Sequence, residues 1–228
     1  MKALIVADGD IPDRKRLDAA WPGWSDGVDL VIAADGGALG ARGLGLAIDL
    51  VVGDMDSLDA ASLADLRGAG VAIETAPAAK DESDTELALV AAVARGAAAV
   101  TIVGAFGGPR LDHELANIGL LAMPRLEGCA VELLDARARV SAVRAPDATG
   151  RAVTRQFVGR PGDVVSLLVP AGVVDGVTTA GLRYPLRDEP LVAGPARGLS
   201  NVRLEREATV TVSRGILLVV ESPARLTR

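Results

Sequence analysis

Short apolar runs alternate with helix-like stretches from the start of the chain to Asp135. The runs are continuous in Ala, Val, Ile and Leu, which is typical of parallel strands that crossover helices cover on both faces. The clearest helix is predicted from Thr85 to Arg95, where Ser83 and Glu86 form a capping box at its start. Six strands are predicted, at Ala3–Ala7, Val28–Ala33, Leu50–Val52, Val71–Glu74, Val100–Val103 and Val131–Leu134.

The pattern changes after Asp135, where helical periodicity disappears and short β-rich segments are separated by Pro and Gly turns. We expect a long loop at Pro185–Gly198. Strands are predicted at Val140–Val143, Val153–Val158, Val164–Val169, Gly172–Thr179, Asn201–Glu205, Thr209–Ser213 and Ile216–Glu221. The fold class is therefore α/β, with a Rossmann-like, mainly parallel sheet and helices on both faces in residues 1–138, followed by an all-β sandwich in residues 139–228.

Composition limits the class of protein further. Half of the 228 residues are apolar, which is enough for a full core and excludes disorder. With 24 basic and 30 acidic residues the net charge is −6, which argues against binding to a nucleic-acid backbone. The single cysteine, Cys129, excludes a disulfide scaffold and a multi-cysteine metal site, and no apolar stretch approaches the length of a membrane span. We therefore expect a soluble, cytoplasmic protein whose partners include neither nucleic acid nor a membrane.

Carboxylates follow each of the first five predicted strands, and these strand ends meet at one edge of a parallel sheet, where ligands bind. So many carboxylates cannot all stay ionised without cations between them. A divalent ion with oxygen ligands, Mg²⁺ above all, resolves this repulsion. The loops concerned are Ala7–Asp10, Ala34–Gly37, Gly53–Ser57, Lys80–Asp84 and Gly104–His113.

Two acidic pairs are candidates for the metal ligands. Asp54 and Asp56 lie two apart, which on extended backbone puts both side chains on the same side and suits shared ligation of a metal. The alternative is a polar turn that closes a strand. Asp81 and Asp84 lie at a predicted helix start, where they either complement the helix dipole or, with Lys80, form a metal and phosphate site.

Glycines and two basic residues point to phosphate. Gly36-Gly37 and Gly104–Gly108 either let backbone amides approach a phosphate or form ordinary turns. The guanidinium of Arg110 suits phosphoryl charge, and His113, the single imidazole, either positions a neighbour or moves a proton. Neither G-x-x-x-x-G-K-[ST] nor G-x-G-x-x-G after the first strand occurs, so a nucleotide would be held by metal and scattered loops.

In this order, six segments of the chain resemble those of the thiamine pyrophosphokinase family. They are Ala-Asp-Gly-Gly at 34–37, Gly-Asp-Met-Asp-Ser at 53–57, Lys-Asp-Glu-Ser-Asp-Thr-Glu at 80–86, Arg-Leu-Asp-His-Glu-Leu-Ala-Asn at 110–117, Gly-Leu-Arg-Tyr-Pro-Leu at 181–186 and Gly-Leu-Ser-Asn at 198–201. Pro109 departs from the family pattern, which runs directly from Gly-Gly to Arg, and Ser83 stands where Thr is usual.

The resemblance implies an α/β nucleotide- and metal-binding catalytic domain followed by a β-sandwich thiamine-binding domain, in a homodimer with active sites at the interface. It implies Mg²⁺-dependent transfer of a diphosphoryl group from ATP, the co-substrate, to the hydroxyl of thiamine, giving thiamine diphosphate and AMP. It assigns Asp54, Asp56, Asp81 and Asp84 to the metal, with Lys80 and Arg110 as further catalytic residues. It places Asp35, Gly36, Gly37, Ser57, Asp112 and His113 on the ATP side, and Tyr184, Ser200 and Asn201 on the thiamine side.

Two alternatives stay open at this point: a diphosphokinase for another, pterin-like alcohol, and a non-catalytic sensor of ATP or thiamine. The carboxylate that takes the alcohol proton is expected to be Asp81 or Asp84.

Overall fold

The computed structural model describes residues 1–77, 79–126 and 128–224. The chain divides into two compact units, Met1–Ala136 and Arg137–Arg228. We call them the α/β unit and the β unit; the sequence placed the border between residues 138 and 139. The last four residues of the predicted second domain, 225–228, lie outside the described residues. Within the described part of the chain, no helix is long and apolar enough to cross a membrane.

The α/β unit contains one parallel sheet. Its elements are β1 (Lys2–Val6), α1 (Arg14–Ala20), β2 (Leu30–Ala34), α2 (Gly37–Gly43), β3 (Leu50–Gly53), α3 (Ala60–Gly68), β4 (Ala72–Thr75), α4 (Asp84–Ala94), β5 (Ala99–Val103), α5 (Leu111–Leu120) and β6 (Ala130–Leu134), with a 3₁₀ turn at Pro124–Leu126. The strand order is β6-β5-β1-β2-β3-β4, and every neighbouring pair is parallel. The predicted parallel sheet is confirmed.

Burial of the central strand shows why continuous apolar runs form this sheet. Residues 3–6 of β1 have no exposed surface, and since successive side chains alternate between faces, both faces of the sheet are covered. Leu4 packs in one cluster with Leu17 of α1 and Ala41 of α2. The N-cap half of the predicted capping box is confirmed, because Ser83 Oγ accepts a hydrogen bond from Glu86 N (3.2 Å) at the start of α4. β4 is the exception: it is the edge strand, and most of it is exposed.

The β unit is a sandwich of two antiparallel sheets. Its strands are β7 (Arg139–Ala145), β8 (Val153–Val158), β9 (Val164–Leu168), β10 (Val173–Ala180), β11 (Glu189–Val192), β12 (Asn201–Val202), β13 (Glu207–Val212) and β14 (Gly215–Ser222). One sheet has the order β12-β9-β14-β7 and the other β11-β10-β13-β8. Val165 and Leu217 of the first sheet share a core cluster with Val174 and Val210 of the second. The predicted sandwich is confirmed.

Two details of the β unit differ from the prediction. The long loop expected at Pro185–Gly198 contains β11, which lies at the edge of its sheet. An edge strand tolerates the missing N–H of Pro190, and this is why a segment with a turn-like sequence is able to pair. The strand expected at Asn201–Glu205 is confined to Asn201–Val202, because only these two residues pair with β9.

Candidate functional site

Loops that follow the strands of the parallel sheet line a cavity of about 770 Å³ in the α/β unit. Six aspartates line it, namely Asp8, Asp35, Asp54, Asp56, Asp81 and Asp84. They come from the loops after β1, β2, β3 and β4, so the predicted convergence of carboxylates at the carboxyl edge is confirmed for these four loops. In the fifth loop, after β5, Asp112 does not line the cavity.

Three of these carboxylates form a compact group, which we call the acidic triad. Oxygen atoms of Asp35, Asp54 and Asp84 all lie within 4.8 Å of one another. Lys80 lies against the triad, with Nζ 3.3 Å from Asp54 Oδ2 and 2.6 Å from Asp84 Oδ1. The side chain of Lys80 is 11% exposed. Burial acts to lower the pKa of Lys80, but its hydrogen bonds and charge interactions with Asp84 and Asp54 outweigh burial and raise it. Lys80 is therefore charged and partly neutralises the triad.

Asp35 is the buried member of the triad. It follows β2 in a left-handed conformation (φ 43°) and is 3% exposed. Its Oδ2 accepts a hydrogen bond from Ser57 N (3.2 Å), whereas its buried Oδ1 has no partner among the described residues. Burial, reinforced by the charge of Asp84, raises the pKa of Asp35. A buried carboxylate oxygen without a donor is suited to a cation.

The segment after β3 is a turn, and the extended geometry expected for Asp54 and Asp56 is wrong. Met55 is left-handed (φ 64°), which folds the backbone so that Asp56 N donates to Asp54 Oδ1 (3.3 Å). This hydrogen bond, followed by the contacts with Lys80, lowers the pKa of Asp54 despite some burial. Of the four predicted metal ligands, Asp54 and Asp84 belong to the triad, and Asp56 and Asp81 line the cavity outside it. Asp35, expected on the nucleotide side, takes the third place.

Gly36 and Gly37 serve packing within the protein and do not belong to the lining of the cavity. A Cβ at Gly36 would lie 2.4 Å from Asp8 Oδ1, and one at Gly37 would lie 2.0 Å from the carbonyl oxygen of Val6. A larger residue at Gly37 would push α2 away from β1, and one at Gly36 would displace the side chain of Asp8. The approach of their backbone amides to a phosphate stays a prediction. Ser57, also expected on the ATP side, does line the cavity.

Arg110 and His113 line the cavity, whereas Asp112 does not. The Arg110 guanidinium pairs with the Asp112 carboxylate at the surface, with the two side chains 62% and 63% exposed. The hydrogen bond from Arg110 is the main reason why the pKa of Asp112 falls to about 2. Asp112 therefore holds Arg110 at the surface, and its place on the ATP side stays a prediction.

A second cavity, of about 240 Å³, lies within the β unit. Tyr184 and Asn201 line it with three leucines, Leu167, Leu186 and Leu199, and with Arg197 and Gly198. Ser200, the third residue expected on the thiamine side, does not line it; its amide donates to Ser166 Oγ (3.0 Å). The ring of Tyr184 is free to meet a ligand, because the residue is 58% exposed.

Asn201 is buried, and its side chain binds backbone. Its Oδ1 accepts hydrogen bonds from Tyr184 N (3.0 Å) and Val202 N (2.9 Å), and its Nδ2 donates to Tyr184 O (2.7 Å). These bonds hold the Tyr184 backbone on both sides. Asn201 therefore supports the backbone of Tyr184 while it lines the cavity, and its contact with thiamine stays a prediction.

Asp8 and Asn117 are among the cavity residues to which the sequence prediction gave no site role. Asp8 lines the cavity, and burial, together with the charges of Asp56 and Asp84, raises its pKa. Its position directly after the first strand was a usable signal. Asn117, buried on α5, also lines the cavity and donates from Nδ2 to Ala105 O (2.8 Å). It is one of only two asparagines in the chain, but this scarcity gives no indication of what it binds.

Comparisons with known proteins agree for both units. Residues 24–133 match the family model of the thiamin pyrophosphokinase catalytic domain, and residues 156–217 match that of the thiamin pyrophosphokinase vitamin B1 binding domain. The thiamine pyrophosphokinase of Bacillus subtilis (strain 168) is 26% identical over 231 residues, which cover 97% of this chain and 99% of that one.

Solved structures give the same result. The thiamin pyrophosphokinase of Geobacillus thermodenitrificans is 26% identical, with a TM-score of 0.79 and 98% of each chain covered. A thiamin pyrophosphokinase family protein from Enterococcus faecalis is 27% identical, with a TM-score of 0.79 over 98% of this chain and 99% of that one.

Proposed function

The chain belongs to the thiamine pyrophosphokinase family, and from this premise we propose that it transfers a diphosphoryl group from ATP to the hydroxyl group of thiamine, giving thiamine diphosphate and AMP. The observation that carries the proposal is the acidic triad with Lys80 at the carboxyl edge of the sheet. Transfer of phosphoryl groups needs little covalent chemistry from the protein; it needs charge neutralisation and in-line positioning.

The triad fits a magnesium ion. Mg²⁺ prefers oxygen ligands, and the triad offers three carboxylate oxygens close together. Asp35 also has a buried Oδ1 without a partner among the described residues. We therefore propose that Asp35, Asp54 and Asp84 hold the magnesium ion. Asp56 and Asp81, the other two predicted ligands, line the same cavity. When bound, Mg²⁺ supplies neutralisation of the charge on the transferred phosphates.

Two basic residues have different tasks in this proposal. Lys80 is held between two carboxylates and is largely buried, so it is a fixed positive charge for a phosphate oxygen. Arg110 is exposed and paired with Asp112, so its guanidinium binds phosphate by exchanging one acidic partner for another.

The proton of the attacking alcohol goes to Asp81 in our proposal. Asp84, the other candidate from the sequence, is bound to Lys80 and belongs to the triad. Asp81 lines the same cavity, is exposed, and lies outside the triad. It is therefore the carboxylate of the pair that is free to accept a proton from a positioned hydroxyl group.

Thiamine is proposed to bind at the cavity of the β unit. The exposed ring of Tyr184 offers a π face to a cationic or aromatic heterocycle, and three leucines give the cavity an apolar wall. The family match of residues 156–217 supports this assignment.

The activity is tested with purified protein, ATP, Mg²⁺ and thiamine, with AMP as the measured product and with thiamine-free and EDTA controls. AMP that forms only with thiamine and metal supports the proposal. ADP as the product would mean transfer of a single phosphoryl group and would refute it. Bound ATP without any product would favour another acceptor alcohol, which a panel including pterin-like alcohols would identify, or a sensor.

A pair of variants tests the triad. Asp54→Asn removes one carboxylate from the triad and one partner of Lys80, so we expect AMP formation to fall at least a hundredfold with the fold retained. The control is Asp65→Asn on α3, whose side chain is 73% exposed and whose distant partner is Arg42 (3.9 Å). Equal activity of the two variants would remove the triad from the mechanism.

We further propose a homodimer with active sites at its interface, an assembly that rests on the family resemblance. Analytical ultracentrifugation at micromolar protein tests it. The chain has a mass of 23.2 kDa, and we expect a species of twice this mass. A single species with the mass of one chain would refute the proposal.

A further inference from the structure

The glycine-rich loop after β5, Gly104–Gly108, has three successive carbonyl groups that are all held by donors from the protein. The bonds are Gly9 N to Gly104 O (2.9 Å), Asn117 Nδ2 to Ala105 O (2.8 Å) and Asp10 N to Phe106 O (2.8 Å). Two of the three donors are backbone amides of the loop after β1. The middle one is a side chain from α5, twelve residues further along the chain.

The N–H groups of the same loop, in contrast, have no acceptor among the described residues. Among the described residues, none accepts a hydrogen bond from the N–H groups of residues 105–108. Gly107 and Gly108 are left-handed (φ 75° and 81°), and the loop lines the cavity that contains the acidic triad. Successive free amides in such a conformation form a concave site for an anion.

We propose that Asn117 is a positioning residue: by holding the carbonyl of Ala105, it keeps the amides of residues 105–108 available to the phosphate chain of the nucleotide. The inference rests on the proposed function, because it assigns the loop to the phosphates of that substrate. Asn117 touches neither reacting atom; it acts through the loop.

The chemistry of the Asn117 contact explains why an amide side chain is needed. The partner is a carbonyl oxygen, which requires a donor. Asn117 is 8% exposed, so a replacement without an N–H group leaves the Ala105 carbonyl without its donor in a largely buried place. Rotation of the peptide group would then be favourable, because it would expose the unpaired Ala105 carbonyl to the cavity. An acceptor instead of donors would then face the anion.

Calorimetry of ligand binding tests this with the full chain, in the presence of Mg²⁺, using ATP, inorganic tripolyphosphate and adenosine as probes. Asn117→Asp keeps the shape of the side chain but replaces the donor by a negative charge in the cavity lining, so Asn117→Leu, which removes the donor without adding charge, is measured beside it and must show the same loss. We expect ATP and tripolyphosphate to bind about tenfold more weakly, the effect of losing one hydrogen bond to a charged ligand. Adenosine affinity and the KM for thiamine should not change.

Trp24→Phe is the matched control. It also removes one hydrogen-bond donor from a buried side chain of the α/β unit, since Trp24 Nε1 donates to Asp18 Oδ1 (2.8 Å), but Trp24 does not line the cavity. We expect this variant to lose stability without losing affinity for tripolyphosphate. If both variants lose the same affinity for tripolyphosphate, Asn117 has only a structural role and the proposal is overturned.

Other outcomes are equally decisive. If Asn117→Asp binds tripolyphosphate as the wild type does, or if adenosine is weakened as much as ATP, the proposal is overturned. If Asn117→Asp does not fold, Gly108→Ala perturbs the same loop, because the left-handed φ of Gly108 is unfavourable for alanine. The new Cβ itself has room, since the nearest atom, Gly9 Cα, is 3.9 Å away. Unchanged phosphate binding in that variant also overturns it. A wild type that binds tripolyphosphate but makes no AMP would refute the proposed function and leave this inference standing.

Discussion

Replacing Glu221 by Gln should destabilise the β unit by about 3–5 kcal/mol, because the change leaves a buried guanidinium without its counter-charge. Arg203 Nη2 lies 2.5 Å from Glu221 Oε1, and the two side chains are 1% and 3% exposed. Arg139 binds the other oxygen, with Nη2 2.7 Å from Glu221 Oε2. The carboxylate thus lies between two guanidinium groups. Gln keeps the size of the side chain but removes the charge that both require.

The magnitude follows from burial. Arg203 Nη1 still donates to Phe157 O (2.9 Å) in the variant, but Arg203 Nε has no partner among the described residues even in the wild type. The buried positive charge therefore has few other means of stabilisation. Since domains are stable by only about 5–15 kcal/mol, the loss is a large fraction of the total. With an m-value of about 1–3 kcal/mol per molar urea, the midpoint should fall by about 1 M or more.

Urea unfolding followed by far-UV circular dichroism measures the effect. Trp21 and Trp24 both belong to the α/β unit, so tryptophan fluorescence reports on that unit separately. Asp175→Asn is the matched control, because it breaks an exposed pair with Arg214 (side chains 34% and 76% exposed) and should cost less than about 1 kcal/mol.

Two results would contradict a role for the buried charge. A loss of less than about 1 kcal/mol for Glu221→Gln would show that the buried charge is not what the fold depends on. The double variant Arg203→Met/Glu221→Met removes both charges and should recover part of the lost stability. If it is as unstable as the single variant, packing and not charge explains the effect.

Three further predictions follow from local contacts. Asn201→Ala frees the backbone of Tyr184, so steady-state AMP assays should give a KM for thiamine about tenfold higher with the KM for ATP unchanged; a rise in both would contradict the support role. The carboxyl of Asp112 should titrate by NMR with a midpoint of about 2, because Arg110 lowers its pKa from 3.8. The pair therefore stabilises the fold at pH values above 3.8, and this contribution is lost as the pH falls through about 2; Arg110→Gln should return the midpoint toward 3.8. Ser83→Ala removes the cap of α4 and should lower the free energy of unfolding by about 1 kcal/mol in urea, whereas Ser83→Thr should not; equal losses would exclude the cap as the cause.

The elements that sequence reasoning predicted well are those whose cause is local. β1 forms where a continuous apolar run can be buried on both faces, and α4 begins where Ser83 caps the amide of Glu86. β11 was missed because Pro190 is unfavourable in a strand in general and tolerable at an edge, and a sequence does not state which strand is the edge. The turn at Met55 was missed for a related reason, since its left-handed conformation is uncommon for a residue with a side chain.

For the candidate site, too, some features can be read from the sequence and others depend on the tertiary structure. The sequence alone determined that carboxylates gather at one edge of a parallel sheet, because the direction of each strand and the residues after it can be read along the chain. It also determined the family, because six segments with their chemistry stand in the family's order.

Only the tertiary structure decided which side chains meet. Asp35 joins Asp54 and Asp84, Asn201 binds the backbone of Tyr184, and Glu221 lies between two guanidinium groups. These contacts join residues far apart in sequence, and each depends on the burial and direction of a side chain after its strand or turn has been placed. Charge pairing and the satisfaction of buried polar groups are properties of the packed chain, and residue types along a sequence do not specify them.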